Sequence, residues 1–116
     1  MTDFQFQRVM DNTLLAEIFH PDNENIDVNF STAYAKLLPG EVSLKHKLKN
    51  SIELYFILKG KGRMHIEDEE KELSENDLVF IPAGAEQFIE NISQEENLEF
   101  LCIVSPKWTA EDESLV

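Results

Sequence analysis

Three side chains able to do chemistry stand where strand alternation would turn them to a common side: the imidazole of His46, the carboxyl of Glu53 and the carboxamide of Gln87. Successive side chains of a strand point to opposite faces. Lys45, Lys47 and Lys49 belong on a solvent face, so His46 and Leu48 face inward. By the same count Glu53, Tyr55 and Ile57 share a face, and so do Gln87, Ile89 and Asn91. Such strands could carry His46, Glu53 and Gln87 to one interior point. A histidine beside a carboxyl can serve as a base with its orienting partner. In an apolar interior, desolvation would favour the neutral form of Glu53. Tyr55 and Gln87 could then hold a carbonyl or hydroxyl of a ligand. His46, Glu53 and Tyr55 are therefore the candidate catalytic residues. The alternative is a polar cluster whose members satisfy one another without turnover.

The rest of a pocket follows from the same counting. Cys102 alternates with Leu98, Phe100 and Val104, which brings its thiol toward the interior, either to the pocket or as a small core residue. Met64 belongs with Ile57, Ile81 and Ile89 on the inner lining. The expected ligand pocket is Tyr55, Met64, Gln87 and Cys102. His65 shares a face with Arg63 and Glu67, which suits a surface or subunit contact, and His20 before Pro21 reads as structural. Leu101 and Ile103 lie on the face opposite Cys102, with Glu99. Apolar residues on both faces of one strand call for a second covering surface. A homodimer would supply it, or the N-terminal segment would pack there.

The elements that must position these groups are mostly strands. About eight short strands separated by turn signals run from residue 28 onward, a pattern for an all-β sandwich or barrel with little helix. Turn signals stand at Pro39-Gly40, at Gly60-Lys61-Gly62 and at Pro82-Ala83-Gly84. Residues 29–38, 42–48, 53–58, 63–68, 71–73, 78–81, 87–92 and 98–104 read as strands. The first thirty residues are ambiguous. Asp11 would cap a short helix through Leu14, Leu15 and Ile18, or residues 13–19 would form a strand. Residues 107–116 read as a mobile acidic tail, with Trp108 the one residue there that calls for a packing partner.

Composition narrows the partners. A chain of 116 residues suits one domain, expected as an N-terminal segment 1–27, a barrel 28–106 and the tail. The formal charge of −13 repels phosphate backbones and anionic membrane surfaces, so nucleic acid and membrane partners are not expected. Lys45, Lys47, Lys49, Lys59, Lys61 and Arg63 would pair with residues 67–70 across a hairpin, or ring a pocket for an acidic ligand. With one cysteine, no visible secretory leader and no long apolar run, a cytoplasmic location is expected.

Two stretches carry a family resemblance. GEVSLKHKLKNSIELYFILKGKG holds Gly40, His46, Glu53 and Gly60, and NDLVFIPAGAEQFIEN holds Pro82, Gly84, Gln87 and Asn91. Together these resemble the two motifs of the cupin superfamily in its small single-domain form. The resemblance implies a cupin-type double-stranded β-helix, a jelly-roll barrel. It also implies metal ligands: two histidines and a glutamate from the first motif, and a histidine from the second. Here Leu48 stands at the second histidine position and Gln87 at the third, and Asn76 replaces the glycine that opens the second motif. The implied metal set is reduced to His46, Glu53 and Gln87. Such a set favours manganese, iron(II) or magnesium; with two family ligands replaced, the other outcome is no metal. The expected function is binding of a small polar molecule in the barrel, with or without a divalent metal. The alternatives are a metal-dependent dioxygenase or sugar isomerase, and a metal-free epimerase or lyase; whether the protein is an enzyme is open.

Overall fold

Apolar–polar alternation in the sequence becomes alternation of burial along the central strands. The computed structural model describes residues 4–116. In chain order the strands are β1 (Gln7–Arg8), β2 (Leu14–Phe19), β3 (Ser31–Leu37), β4 (His46–Leu48), β5 (Ile52–Lys59), β6 (Gly62–Ile66), β7 (Glu69–Leu73), β8 (Leu78–Ile81), β9 (Gln87–Asn91), β10 (Leu98–Ser105) and β11 (Glu113–Leu115). One helical turn, α1 (Pro21–Glu24), follows β2. The chain is all-β, with two antiparallel sheets in the orders β1-β2-β3-β10-β5-β8 and β11-β4-β9-β6-β7. Every second residue of β9 and β10 is buried, beginning with Gln87 and Leu98. Their inner side chains meet Leu37, Ile57, Met64 and Ile81 between the sheets. No helix among the described residues is long and apolar enough to cross a membrane.

The turn between β5 and β6 fixes how these sheets join. Gly60 has φ +90°, and a Cβ there would stand 2.4 Å from the Asn97 carbonyl oxygen. Only glycine allows that approach. Asn91, at the end of β9, donates from Nδ2 to the carbonyls of Leu37, Leu38 and Glu96 and accepts from Ser93 N. One buried carboxamide thus ties the end of β3 to the loop between β9 and β10.

Several expectations change. Of the two readings of the first thirty residues the strand holds and the helix does not: β2 pairs with β3, and Asp11 caps no helix but accepts from Thr13 N and Oγ1. The helical turn comes later and is capped by His20, whose Nδ1 accepts from Asp22 N while Nε2 donates to the Trp108 carbonyl. The strand expected over 42–48 is confined to His46–Leu48, because Leu44 N is drawn to the carbonyl of Asp11 at 2.7 Å. Residues 113–115 are not a loose tail but strand β11, paired with β4. The ion pairs these basic residues make lie outside residues 67–70, and none of the six lines the cavity between the sheets. Arg63 pairs with Glu72 at 3.1 Å and Glu90 at 3.5 Å, and Lys45 lies 3.8 Å from Glu86.

Candidate functional site

A cavity of about 700 Å³ opens between the sheets and is walled by three parts of the chain. The segment before β2 contributes Asp11 and Thr13, the barrel contributes His46, Glu53, Tyr55, Phe100 and Cys102, and the last segment contributes Trp108 and Glu113. Its lining also includes the apolar side chains of Leu15, Ala35, Phe100 and Val104.

His46 is the fixed point. Its ring is 3% exposed, and Nδ1 lies 2.9 Å from the Leu44 carbonyl. A carbonyl oxygen only accepts, so Nδ1 carries the proton and Nε2 is the atom turned to the cavity. Two carboxylate oxygens face that nitrogen, Asp11 Oδ2 at 3.6 Å and Glu113 Oε2 at 3.9 Å. Each carboxylate is held by its other oxygen. Asp11 Oδ1 accepts from Thr13 Oγ1 at 2.8 Å, and Glu113 Oε1 accepts from Trp108 Nε1 at 2.9 Å. Three side chains therefore commit one atom each to the protein and leave one each pointing at a shared space. Those free atoms lie within 4.8 Å of one another. Outer hydrogen bonds that orient ligand side chains in this manner are the usual support of a metal centre. One imidazole and two carboxylates suit manganese, iron(II) or magnesium.

The chain reaches this arrangement by strand pairing. In the β4–β11 ladder Glu113 stands directly opposite Leu48, and directly opposed residues point to the same face. A carboxylate thus arrives beside the position where the resemblance expects a second histidine and the sequence has leucine. Burial raises the pKa of Glu113, while the Trp108 hydrogen bond and His46 pull it back.

The structure divides the expected metal set. His46 and Gln87 are register partners on β4 and β9, yet their polar groups have different company. Gln87 Nε2 donates to Glu53 Oε1 at 2.8 Å, and Gln87 Oε1 accepts from Tyr55 Oη at 3.0 Å. The carbonyl of Gln87 is thus engaged by Tyr55 and its amide by Glu53. It is 1% exposed and does not line the cavity. Met64, expected in the pocket, lies in the apolar core away from the cavity wall, because β6 belongs to the far side of the second sheet. Tyr55 and Cys102 line the cavity. Desolvation pushes Glu53 up to about 7, opposed by the Gln87 hydrogen bond and the nearby His46. Desolvation also holds the Tyr55 hydroxyl and Cys102 thiol well above their ordinary ranges, so both are neutral. Asp11 and Glu113 escaped the sequence reading. The one signal toward Glu113 was Trp108, a large ring in a segment otherwise without packing residues.

His65 stacks on Phe88 with ring centroids 4.1 Å apart and contacts Glu90 at 3.2 Å, outside the cavity.

Comparison with known proteins adds the following. Residues 33–104 match a family model described as the Cupin domain. An uncharacterized protein of Methanocaldococcus jannaschii is 34% identical over 106 residues, covering 91% of this chain and 83% of that one. An oxalate-binding protein of Thermotoga maritima is 33% identical over 72 residues, covering 62% of this chain and 59% of that protein. Among solved structures, a predicted oxalate decarboxylase from Thermotoga maritima superposes with a TM-score of 0.78 at 24% identity, covering 90% of this chain and 94% of that one. Oxalate decarboxylase from Bacillus subtilis gives 0.81 at 22% identity, over 98% of this chain but 30% of that one. At these identities the structural likeness establishes the fold.

Proposed function

Because this chain belongs to the cupin domain family, we propose that it binds a small polar molecule in its cavity through a divalent metal held by Asp11, His46 and Glu113. The observation that carries the proposal is the convergence on one space of three donor atoms whose side chains are each anchored by their other polar atom. A bound cation would supply Lewis acidity toward a ligand oxygen. The protein's own share is to hold the donors, present Glu53 and Tyr55 on the cavity wall and keep the Cys102 thiol neutral beside them. The oxalate-binding relative supports a small polar ligand as the class.

The test is calorimetric titration of chelator-stripped protein with Mn²⁺. One ion per chain should bind, and His46→Ala should lose saturable binding. A titration with no saturable phase in the native protein would end the metal reading.

The outer face of the first sheet supports a homodimer. Leu54 is opposite both Phe80 and Ile103, and Phe56 is opposite both Leu78 and Leu101, so apolar side chains run across β8, β5 and β10. Leu78 and Phe80 are 55% and 54% exposed. Phe4 and Phe6 cover the far end of the sheet by packing on Tyr34, which leaves the β8 end open to a second copy. Sedimentation should show a dimer, and Phe80→Asp should shift it to monomer; a native protein that sediments as a monomer at tens of micromolar rejects the assignment.

A further inference from the structure

The cavity walls differ from what a small dianion needs. Among the described residues four acidic ones line the cavity, Asp11, Glu17, Glu53 and Glu113, and no lysine or arginine does. In the proposed centre the charge of a divalent ion is already matched by Asp11 and Glu113. A bound ion's charge must be included in the balance of its site. A dicarboxylate would then bring two negative charges into a partly apolar space with no arginine or lysine to receive them, beside Glu17. Burying charge without a partner is strongly unfavourable. A monocarboxylate brings half that charge.

Size points the same way. A volume of about 700 Å³ is far more than a ligand of oxalate's size fills, and falls in the range of drug-sized ligands. The wall also includes Leu15, Ala35, Phe100, Cys102 and Val104, which rewards burial of an apolar body.

Resting on the metal reading above, we propose that the ligand of this cavity is a monocarboxylate with an adjacent keto or hydroxyl oxygen and an apolar side chain, and that small dicarboxylates such as oxalate are discriminated against. The chelating end faces Asp11, His46 and Glu113, and the side chain lies along Phe100 and Val104. Glu17 sets part of the discrimination. It stands opposite Ala33 on the cavity face of β2 and β3, with Asn23 Nδ2 donating to its Oε1 at 2.6 Å.

The experiment uses Mn²⁺-loaded protein titrated with the α-keto acid of leucine, pyruvate and oxalate. Trp108 is the chain's one tryptophan and lines the cavity, so its fluorescence reports occupancy. The leucine-derived acid should bind at least about tenfold more tightly than pyruvate or oxalate, as burial of a branched aliphatic group predicts. Glu17→Lys, which places a cation on the wall, should improve oxalate binding at least about fivefold and leave the Mn²⁺ titration unchanged. Oxalate binding as tightly as the leucine-derived acid, or no binding of that acid, overturns the proposal while the metal reading stands. Failure of Mn²⁺ to bind at all overturns both.

Discussion

Glu113→Gln is expected to weaken Mn²⁺ binding by at least about 100-fold, whereas Gln87→Ala should leave it within about threefold. The difference follows from which atoms are free. The Glu113 carboxylate spends one oxygen on Trp108 and turns the other to His46. In the glutamine variant the Trp108 bond can persist, and the free position then carries an NH₂ group, which donates and does not ligate. Loss of an outer-sphere partner alone typically costs 10–100-fold in metal affinity, so loss of a direct donor should cost at least the upper end. At position 87 both polar ends already serve Tyr55 and Glu53. Its removal should lower stability by about 1–3 kcal/mol, because Glu53 and Tyr55 each lose a buried partner, without touching the metal. Titration calorimetry on the two variants reads the result. The reverse outcome, with Gln87→Ala abolishing binding and Glu113→Gln tolerated, would return the centre to His46, Glu53 and Gln87.

Glu53→Gln should stabilise the metal-free protein above neutral pH and flatten its pH dependence. Glu53 is 7% exposed, and burial moves its pKa from 4.5 to about 7. Between those values the folded state holds a proton that the unfolded state has released. Stability therefore falls as pH rises through this window and is unaffected by the group below it. The cost accumulated by pH 8 is about 3 kcal/mol. Glutamine keeps the shape, and its carbonyl can still accept from Gln87. Urea unfolding of both proteins from pH 4 to pH 8 gives the comparison. The variant's advantage should be near its minimum at pH 4 and grow by about 3 kcal/mol by pH 8. An advantage that does not change with pH would mean that Glu53 is not held neutral by the fold.

The barrel was legible because its signals are local. Alternation along residues 87–91 and 98–104 depends only on which faces are apolar, and the turn at Gly60 demands a residue without a Cβ. His46, Glu53 and Gln87 do face inward as alternation requires. What alternation could not say is how each inward polar group is spent. Gln87 lies beside His46 in register, yet a tyrosine from the opposite sheet claims its carbonyl. Asp11 and Glu113 were missed for a different reason. Each sits in a stretch too short to show a period, and each gains its place from a long-range partner: Asp11 through the backbone bond to Leu44, Glu113 through the β4–β11 ladder. Asp112 adds to that ladder by accepting from the amides of Asn50 and Ser51. Local pattern carries no trace of such partners. The helix reading of residues 11–18 failed similarly, since pairing with β3 outweighs a weak capping signal.

Two of the three proposed donors, Asp11 and Glu113, lie outside the span of residues 33–104 that defines the family match. Most of the proposed donor set is thus written outside the stretch that specifies the scaffold. Two proteins could share the scaffold almost residue for residue and hold different ions, or none, if their flanking segments differ. A function inherited by likeness across the barrel alone would be inherited without two of the three groups proposed to perform it.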